Sequence, residues 1–291
     1  MAHIDVRPMA PAEISFGIGL ASAAGWNQTA ADWRRVMDLA PGGCFVGYLE
    51  NQPVGTVATT TFGPVAWISL MLVSEAARGR GVGRALMVAA IDFLEDRGVT
   101  TIRLDATPLG RPLYEKLGFQ FEYEGARFAG QPCPPSVGIP PSPDVVPLTS
   151  SDWPLVADLD RQITGTDRAN LWQYMAENEA NPESEFPFVF GIYDGTRLRG
   201  FQSQRPGMNA RHIGPCLALD VDVGEKLLDA ALRRHALEKV YVDIPLANEA
   251  GCQQLTNAGL TPQRPLYRMT RGPRIAESPQ HIWATFGPEK G

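Results

Sequence analysis

The sequence predicts a mixed α/β (α+β) protein made of two tandem domains, each a twisted mixed sheet flanked by helices. Three observations carry that expectation. At 291 residues the chain is about twice the commonest domain size. Its halves match in an ordered series: residues 82–91 (VGRALMVAAI) align with 223–232 (VGEKLLDAAL) at an offset of 141, and the same offset carries Gly118-Phe119 onto Gly259-Leu260. Arg7-Pro8-Met9 resembles Val146-Pro147-Leu148, and residues 47–50 resemble 191–194, at offsets of 139 and 144. Such a series points to an internal duplication. Third, six prolines (132, 134, 135, 140, 141 and 143) cluster near the midpoint, where they suit neither helix nor inner strand. The expected division is a first domain at 1–129, a proline-rich linker at 130–143 and a second domain at 144–291.

The first half reads in order as strand 4–7, helices 11–24 and 29–38, then two alternating strands at 44–49 and 54–62 joined by a turn at 50–53. Residues 65–73 are nearly all apolar, as in a central strand covered on both faces. Val82, Leu86, Ala89, Ala90 and Phe93 form one stripe of a helix over 82–97, with Gly98 as its stop. Strand 101–106, a short helix 112–117 and a last strand 119–123 complete the half.

Composition removes several functions. A hydrophobic fraction of 44% with 20% charged residues is ordinary for a globular chain, and a net charge of −6 gives no field that attracts nucleic acid. No run approaches the roughly 18 apolar residues of a membrane helix. Residues 14–23 have a faint signal-peptide look, but Asp5 and Glu13 offset Arg7, so a buried helix is expected. Cys44, Cys133, Cys216 and Cys252 stand far apart without ligand spacing, so neither a disulfide framework nor a metal site is expected, and a cytoplasmic location is. His212 and His235 lack spaced partners and read as structural or surface residues.

The chemistry gathers where the apolar strand 65–73 runs into Arg78-Gly79-Arg80-Gly81-Val82-Gly83-Arg84 and then a helix. Three glycines let bare N–H groups approach a ligand, the helix start adds unpaired N–H groups and a positive dipole end, and three arginines add charge. Together they form a pyrophosphate cradle. A dinucleotide GxGxxG fingerprint fails because Arg84 stands where its last glycine belongs, and a Walker loop lacks Gly-Lys-Ser/Thr. An RNA-binding arginine–glycine tract belongs in low-complexity sequence. A glycine turn of purely structural purpose is the plain alternative.

Residues 73–83 (VSEAARGRGVG) resemble the acyl-coenzyme A motif of the GNAT N-acetyltransferase superfamily, and residues 113–119 (LYEKLGF) resemble its second signature. In the second half, residues 165–168 (GTDR), 213–215 (IGP), 242–245 (VDIP) and Arg268-Met269 resemble the C-terminal domain of tandem GNAT proteins. The resemblance implies acetyl-CoA as co-substrate, a small-molecule amine as acceptor, and direct attack without a covalent intermediate. It places backbone groups of Met71, Leu72 and Val73 on the pantetheine arm, and those of residues 78–84 on the pyrophosphate. Tyr114 falls on the general acid; a tyrosine pKa near 10 lies above a thiol near 8.5, so a phenol suits donation to departing thiolate. A core or surface tyrosine is the alternative. Two departures stand out: Thr107 replaces a frequent coenzyme-contacting Asn, and the central strand lacks the Glu that many members use as base. Asp105 is a weak substitute for it.

The second copy carries Leu219-Asp220-Val221-Asp222-Val223-Gly224-Glu225 against the arginine loop, −3 against +3, and Leu255 against Tyr114. One carboxylate about 5 Å from a phosphate costs roughly 3 kcal/mol at an effective dielectric of about 20. An empty copy is therefore expected, with a role in shaping the acceptor site. Trp26, Trp172 and Tyr174 are the expected acceptor-side residues, although core packing is the common fate of helix aromatics. The alternatives to small-molecule acetylation are an acyl-CoA sensor without turnover and acetylation of a protein amine.

Overall fold

The computed structural model describes residues 3–133, 142–178 and 188–291. Residues 134–141 of the expected linker lie outside them. The first half runs β1 (Ile4–Pro8), α1 (Ile14–Ala23), α2 (Ala30–Leu39), β2 (Cys44–Leu49), β3 (Gln52–Phe62), β4 (Val65–Val73), α3 (Val82–Glu95), β5 (Thr101–Ala106), α4 (Arg111–Lys116), β6 (Gln120–Gly130). The second repeats this order as β7 (Val146–Pro147), α5 (Trp153–Thr164), α6 (Ala169–Glu177), β8 (Phe188–Asp194), β9 (Arg197–Arg205), β10 (Arg211–Ala218), α7 (Val221–Arg234), β11 (Val240–Pro245), α8 (Glu249–Asn257), β12 (Thr261–Arg271). One strand, β13 (Ile282–Ala284), has no counterpart among the described residues of the first half.

Local chemistry explains the element ends. Thr29 and Asp32 form a reciprocal capping box that starts α2. Glu50 and Asn51 both have positive φ, 53° and 64°, which makes the β2–β3 connection a two-residue hairpin of the type whose twist suits paired strands. The turn is therefore shorter than expected, and β3 begins at Gln52. The apolar run at 65–73 is β4 to the residue.

The strands join into one sheet in the order β1-β2-β3-β4-β5-β12-β6-β11-β10-β9-β8-β7. The halves interlock within it: β12 inserts between β5 and β6, and β6 lies between β12 and β11. Both ladder partners of β6 thus come from the second half, and β6 extends to Gly130, beyond the expected 119–123. Buried ion pairs cross the same seam. Arg127 makes two 2.7 Å bonds to Asp243, Arg268 bonds Asp105 at 2.6 Å, and Arg103 bonds Glu277 at 2.7 Å. Removing one partner of such a pair typically costs about 3–5 kcal/mol, because the other charge is left buried alone. Asp243 and Arg268, which belong to the second-half motifs, are committed to holding the halves together.

His212 on β10 gives the fold an acid sensitivity. It is fully buried, neither ring nitrogen has a hydrogen-bond partner, and burial followed by repulsion from Arg205 pushes its pKa down to about 4. The unfolded chain therefore binds a proton between pH 6.5 and 4 that the folded chain refuses, so stability falls as pH drops through that window. A depression from 6.5 to about 4 is worth about 3 kcal/mol. The strongly paired carboxylates of Asp243 and Glu277, at about 2, titrate below it. Urea unfolding at pH 7 and pH 4.5 should show most of this loss in the native chain and much less in His212→Asn. Equal losses in both would refute the assignment.

Candidate active site

The site begins with a defect in β4. Leu70 has a positive φ of 49°, and the β3–β4 register slips between Thr56 and Ala58, so two β4 residues face one β3 residue. This β-bulge turns backbone groups out of the ladder. The freed Leu70 carbonyl instead accepts a 2.9 Å bond from the buried Thr56 hydroxyl. Beside it, parallel pairing of β4 with β5 stops at Trp67 and Arg103, and the strands splay beyond that point. Residues 68–73 therefore present an open backbone edge.

A cavity of about 470 Å³ fills the splay. Met71, Leu72 and Val73 line it with Arg78, Gly79 and Gly83, so strand edge and glycine loop form one continuous surface. Gly79 (φ 73°) and Gly81 (φ 89°) hold backbone conformations that side chains rarely adopt, and Gly81 starts α3 with no side-chain cap. The first-turn N–H groups of α3 are thus left for a ligand. Arg80, Gly81, Val82 and Arg84 lie outside the cavity lining. Arg78, Arg80 and Arg84 are exposed on the loop and helix start, while the Val82 side chain is buried in the core. Together the open edge, bare helix start and three guanidiniums could hold the pantetheine and pyrophosphate of a coenzyme A thioester.

Tyr114 sits on α4 at the far side of the cavity. Its ring packs edge-on against Phe119 at 6.1 Å, and a Cβ on Gly110 would touch its ring and hydroxyl. Burial pushes its pKa up to about 12. A protonated phenol therefore lines the cavity. Thr107 lines it too; its hydroxyl accepts from the Gly110 N–H at 3.3 Å and so fixes the turn into α4.

Asp105 also reaches the cavity, but Arg268 engages both its oxygens, at 2.6 and 3.3 Å. Trp26 also lines the cavity. Trp172 and Tyr174 do not reach the cavity. Trp172 is buried against Trp153, Phe201 and Phe286 and donates to Asp160, while Tyr174 donates to Asp38 of α2 at 3.0 Å. Both aromatics of α6 pack the protein rather than the cavity.

The second half nevertheless supplies a wall, through residues the sequence gives little reason to choose: Arg264, Leu266, Pro288 and Glu289. Glu289 is anchored by a bond from Gln28, and burial, which pushes its carboxyl up, is outweighed by Lys290 and Arg205, which hold it below the usual range. The lip loop after α1 is clamped from the same side. Asn27 donates to the Ala210 carbonyl at 2.9 Å and accepts from the N–H groups of Asn209 and Ala210. From the first half, Ser69 adds a buried hydroxyl with no hydrogen-bond partner.

At the equivalent place in the second half the opening is closed twice. Asp220 caps α7 by accepting the Val223 N–H at 3.0 Å, with Asp222 beside it in the first turn. Where β10 and β11 splay, β13 fills the wedge: it pairs with β10 at Cys216 and Leu217, and Thr285 donates to the Asp243 carbonyl on β11. Trp283 lies so close to Gly224 that any Cβ there would overlap its ring. Leu255, opposite number of Tyr114, is core. A groove of about 200 Å³ survives, lined in part by Asp220 and Glu249.

Comparison with known proteins finds a domain match in each half. Residues 20–119 match the acetyltransferase (GNAT) family model, and residues 156–284 match a second acetyltransferase (GNAT) domain model. The chain belongs to the GNAT family as a tandem of two GNAT domains. A holothin acyltransferase from Pseudoalteromonas is 26% identical to this tandem GNAT protein over 254 residues, covering 87% of this chain and 82% of its own. A mycothiol acetyltransferase from Rhodococcus erythropolis is 31% identical over 109 residues, 33% of this chain and 36% of its own. Among solved structures, an acetyltransferase-like protein from Pyrococcus horikoshii superposes with a TM-score of 0.83 at 23% identity, covering 99% of this chain and 96% of that one. A tandem GNAT protein from the clavulanic acid pathway gives 0.68 at 18% identity, covering 94% and 100%. These structural likenesses concern the fold. Among the described residues no helix is long and apolar enough to cross a membrane, and no group of three His, Cys, Asp or Glu side chains is placed to hold a metal ion.

Proposed function

We propose that this tandem GNAT protein is an N-acetyltransferase that moves the acetyl group of acetyl-CoA to the amine of a small molecule by direct attack. The observation that carries the reading is the continuity of one cavity: the open β4 edge, Arg78, Gly79 and Gly83 of the turn into α3, and Tyr114 all line it. Met71, Leu72 and Val73 would bind the pantetheine arm, residues 78–84 the pyrophosphate, and Thr107 the turn that positions Tyr114. The β4 bulge exposes backbone groups suited to polarise the thioester carbonyl. The amine nitrogen forms its bond to the acetyl carbon as the carbon–sulfur bond breaks, Tyr114 donates its proton to the departing sulfur, and the proton that the nitrogen sheds returns through water to the Tyr114 phenolate. Holding both substrates in one cavity supplies proximity and orientation. Residues 1–129 carry this chemistry, and residues 144–291 contribute the acceptor wall instead of a second reaction site. Four free cysteines suit a reducing compartment such as the cytoplasm.

The engagement of both Asp105 oxygens by Arg268 favours a second reading, an acyl-CoA sensor without turnover. Steady-state release of free thiol from acetyl-CoA with a panel of small amines separates the two. Amine-dependent release with formation of the N-acetyl product is expected. Tight acetyl-CoA binding with no amine-dependent release would leave the sensor. Acetylation confined to protein amines would replace the acceptor class.

A further inference from the structure

Most buried guanidiniums of this protein face a carboxylate. Arg35 and Arg205 share Asp32, Arg103 takes Glu122 and Glu277, Arg127 takes Asp243, Arg168 takes Asp160 and Arg268 takes Asp105. Arg264 breaks this pattern. Among the described residues it has no carboxylate within 4.0 Å, and its Nε is buried without a hydrogen-bond partner. Its strand neighbour across β12 and β6 is Arg127, whose charge is already spent on Asp243. Burial, and then repulsion from Arg127, pushes its pKa down to about 10. Asp243 and Glu289 attract it without touching it, so the half-buried guanidinium keeps an unmet Nε–H that an incoming anion can take.

Arg264 also faces the right space. It lines the cavity that holds Tyr114 and the open β4 edge, and its guanidinium stands 5.9 Å from the centre of the Trp26 ring on the acceptor lip. The loop carrying Trp26 is fixed by Asn27 against residues 209 and 210, so the two walls keep their spacing. The arginine loop that suits coenzyme phosphates is a separate cationic feature on the strand-to-helix turn. Glu289 and Asp105 border the same cavity, which disfavours a doubly charged phosphate but suits a single carboxylate accompanied by an amine.

We propose that Arg264, beside Trp26, is the recognition site for a carboxylate of the acceptor, so the acceptor is an amine of the amino-acid class. This rests on the acetyltransferase reading given above. It assigns specificity, not chemistry, to the second half: an arginine placed by the interlocked strand β12 reads the substrate on which the first half acts.

The test compares the full-length native chain, Arg264→Gln and Arg264→Lys on matched acceptors, a series of free amino acids and their primary amides. In the native chain kcat/KM should favour the acid of a pair at least tenfold. In Arg264→Gln the KM for the acid should rise about 10- to 100-fold, the range of one charge-assisted hydrogen bond, while the amide and acetyl-CoA are little changed. Arg264→Lys, which keeps the charge in the same strand, should retain part of the preference and guards against a folding defect in the neutral variant. A readout free of turnover is calorimetric binding of N-acetyl amino acids to the CoA-saturated protein, expected in the native chain and lost in Arg264→Gln. Acids and amides used equally well by the native chain would overturn the proposal, as would preference for a phosphorylated amine. Loss of acetyl-CoA affinity in Arg264→Gln would assign the arginine to the coenzyme instead. Failure of the transferase reading looks different: no amine releases thiol, while N-acetyl amino acids still bind through Arg264.

Discussion

Replacing Tyr114 by Phe is expected to lower kcat by about 10²–10⁴-fold while leaving acetyl-CoA affinity nearly constant. The substitution keeps the ring that packs edge-on against Phe119 and removes a single hydroxyl. The effect should therefore fall on the step in which sulfur departs. The pH profile adds a second check. Burial holds the phenol at about 12, so the donor stays protonated below that value, and the native activity should show no loss assignable to Tyr114 between pH 7 and 10. Stopped-flow or steady-state thiol release with a good amine measures both. A kcat in Tyr114→Phe within about threefold of native would mean that water or another group protonates the sulfur.

Gly81→Asp should raise the Kd for acetyl-CoA at least a hundredfold. Two causes act together. With φ at 89°, Gly81 holds a left-handed conformation that costs a side-chain-bearing residue roughly 1–2 kcal/mol. The new carboxylate would also stand at the uncapped start of α3, where a phosphate about 5 Å away would be repelled by roughly 3 kcal/mol at an effective dielectric of about 20. It would in effect recreate the capped helix start that Asp220 gives α7. Gly81→Asn separates the causes, because it puts a side chain of the same size at the same φ without the charge. It should lose far less affinity than the Asp variant. Equal losses would assign the effect to backbone strain alone, and unchanged affinity in Gly81→Asp would remove the loop from the phosphate site.

Much of this site is legible because its signals are local. The apolar run that becomes β4, the glycines at positive φ and the place of Tyr114 on a short helix all follow from residues adjacent in sequence. What escapes is set by long-range pairing. Nothing near Gly130 says that β6 continues to that residue, because its ladder partners lie in β11 and β12. Arg264 stands between Pro262 and Pro265, a setting that argues against an inner strand, yet β12 accommodates it with a register shift beside β6. Trp172 shows the opposite error. An aromatic on an amphipathic helix fits a pocket or a core equally well by periodicity, and here the partners are Trp153, Phe201 and Phe286. Trp283 and Glu289 lie on a segment with no counterpart among the described residues of the first half, so the repeat could not assign them. One closes the second copy and the other lines the cavity of the first.

That asymmetry, one open copy and one closed, is tested most directly by isothermal titration of the full-length protein with acetyl-CoA. A single class of site, with a stoichiometry near one per chain that disappears in Gly81→Asp, is the expected result. Two sites per chain, or a single site that persists in Gly81→Asp, would contradict it.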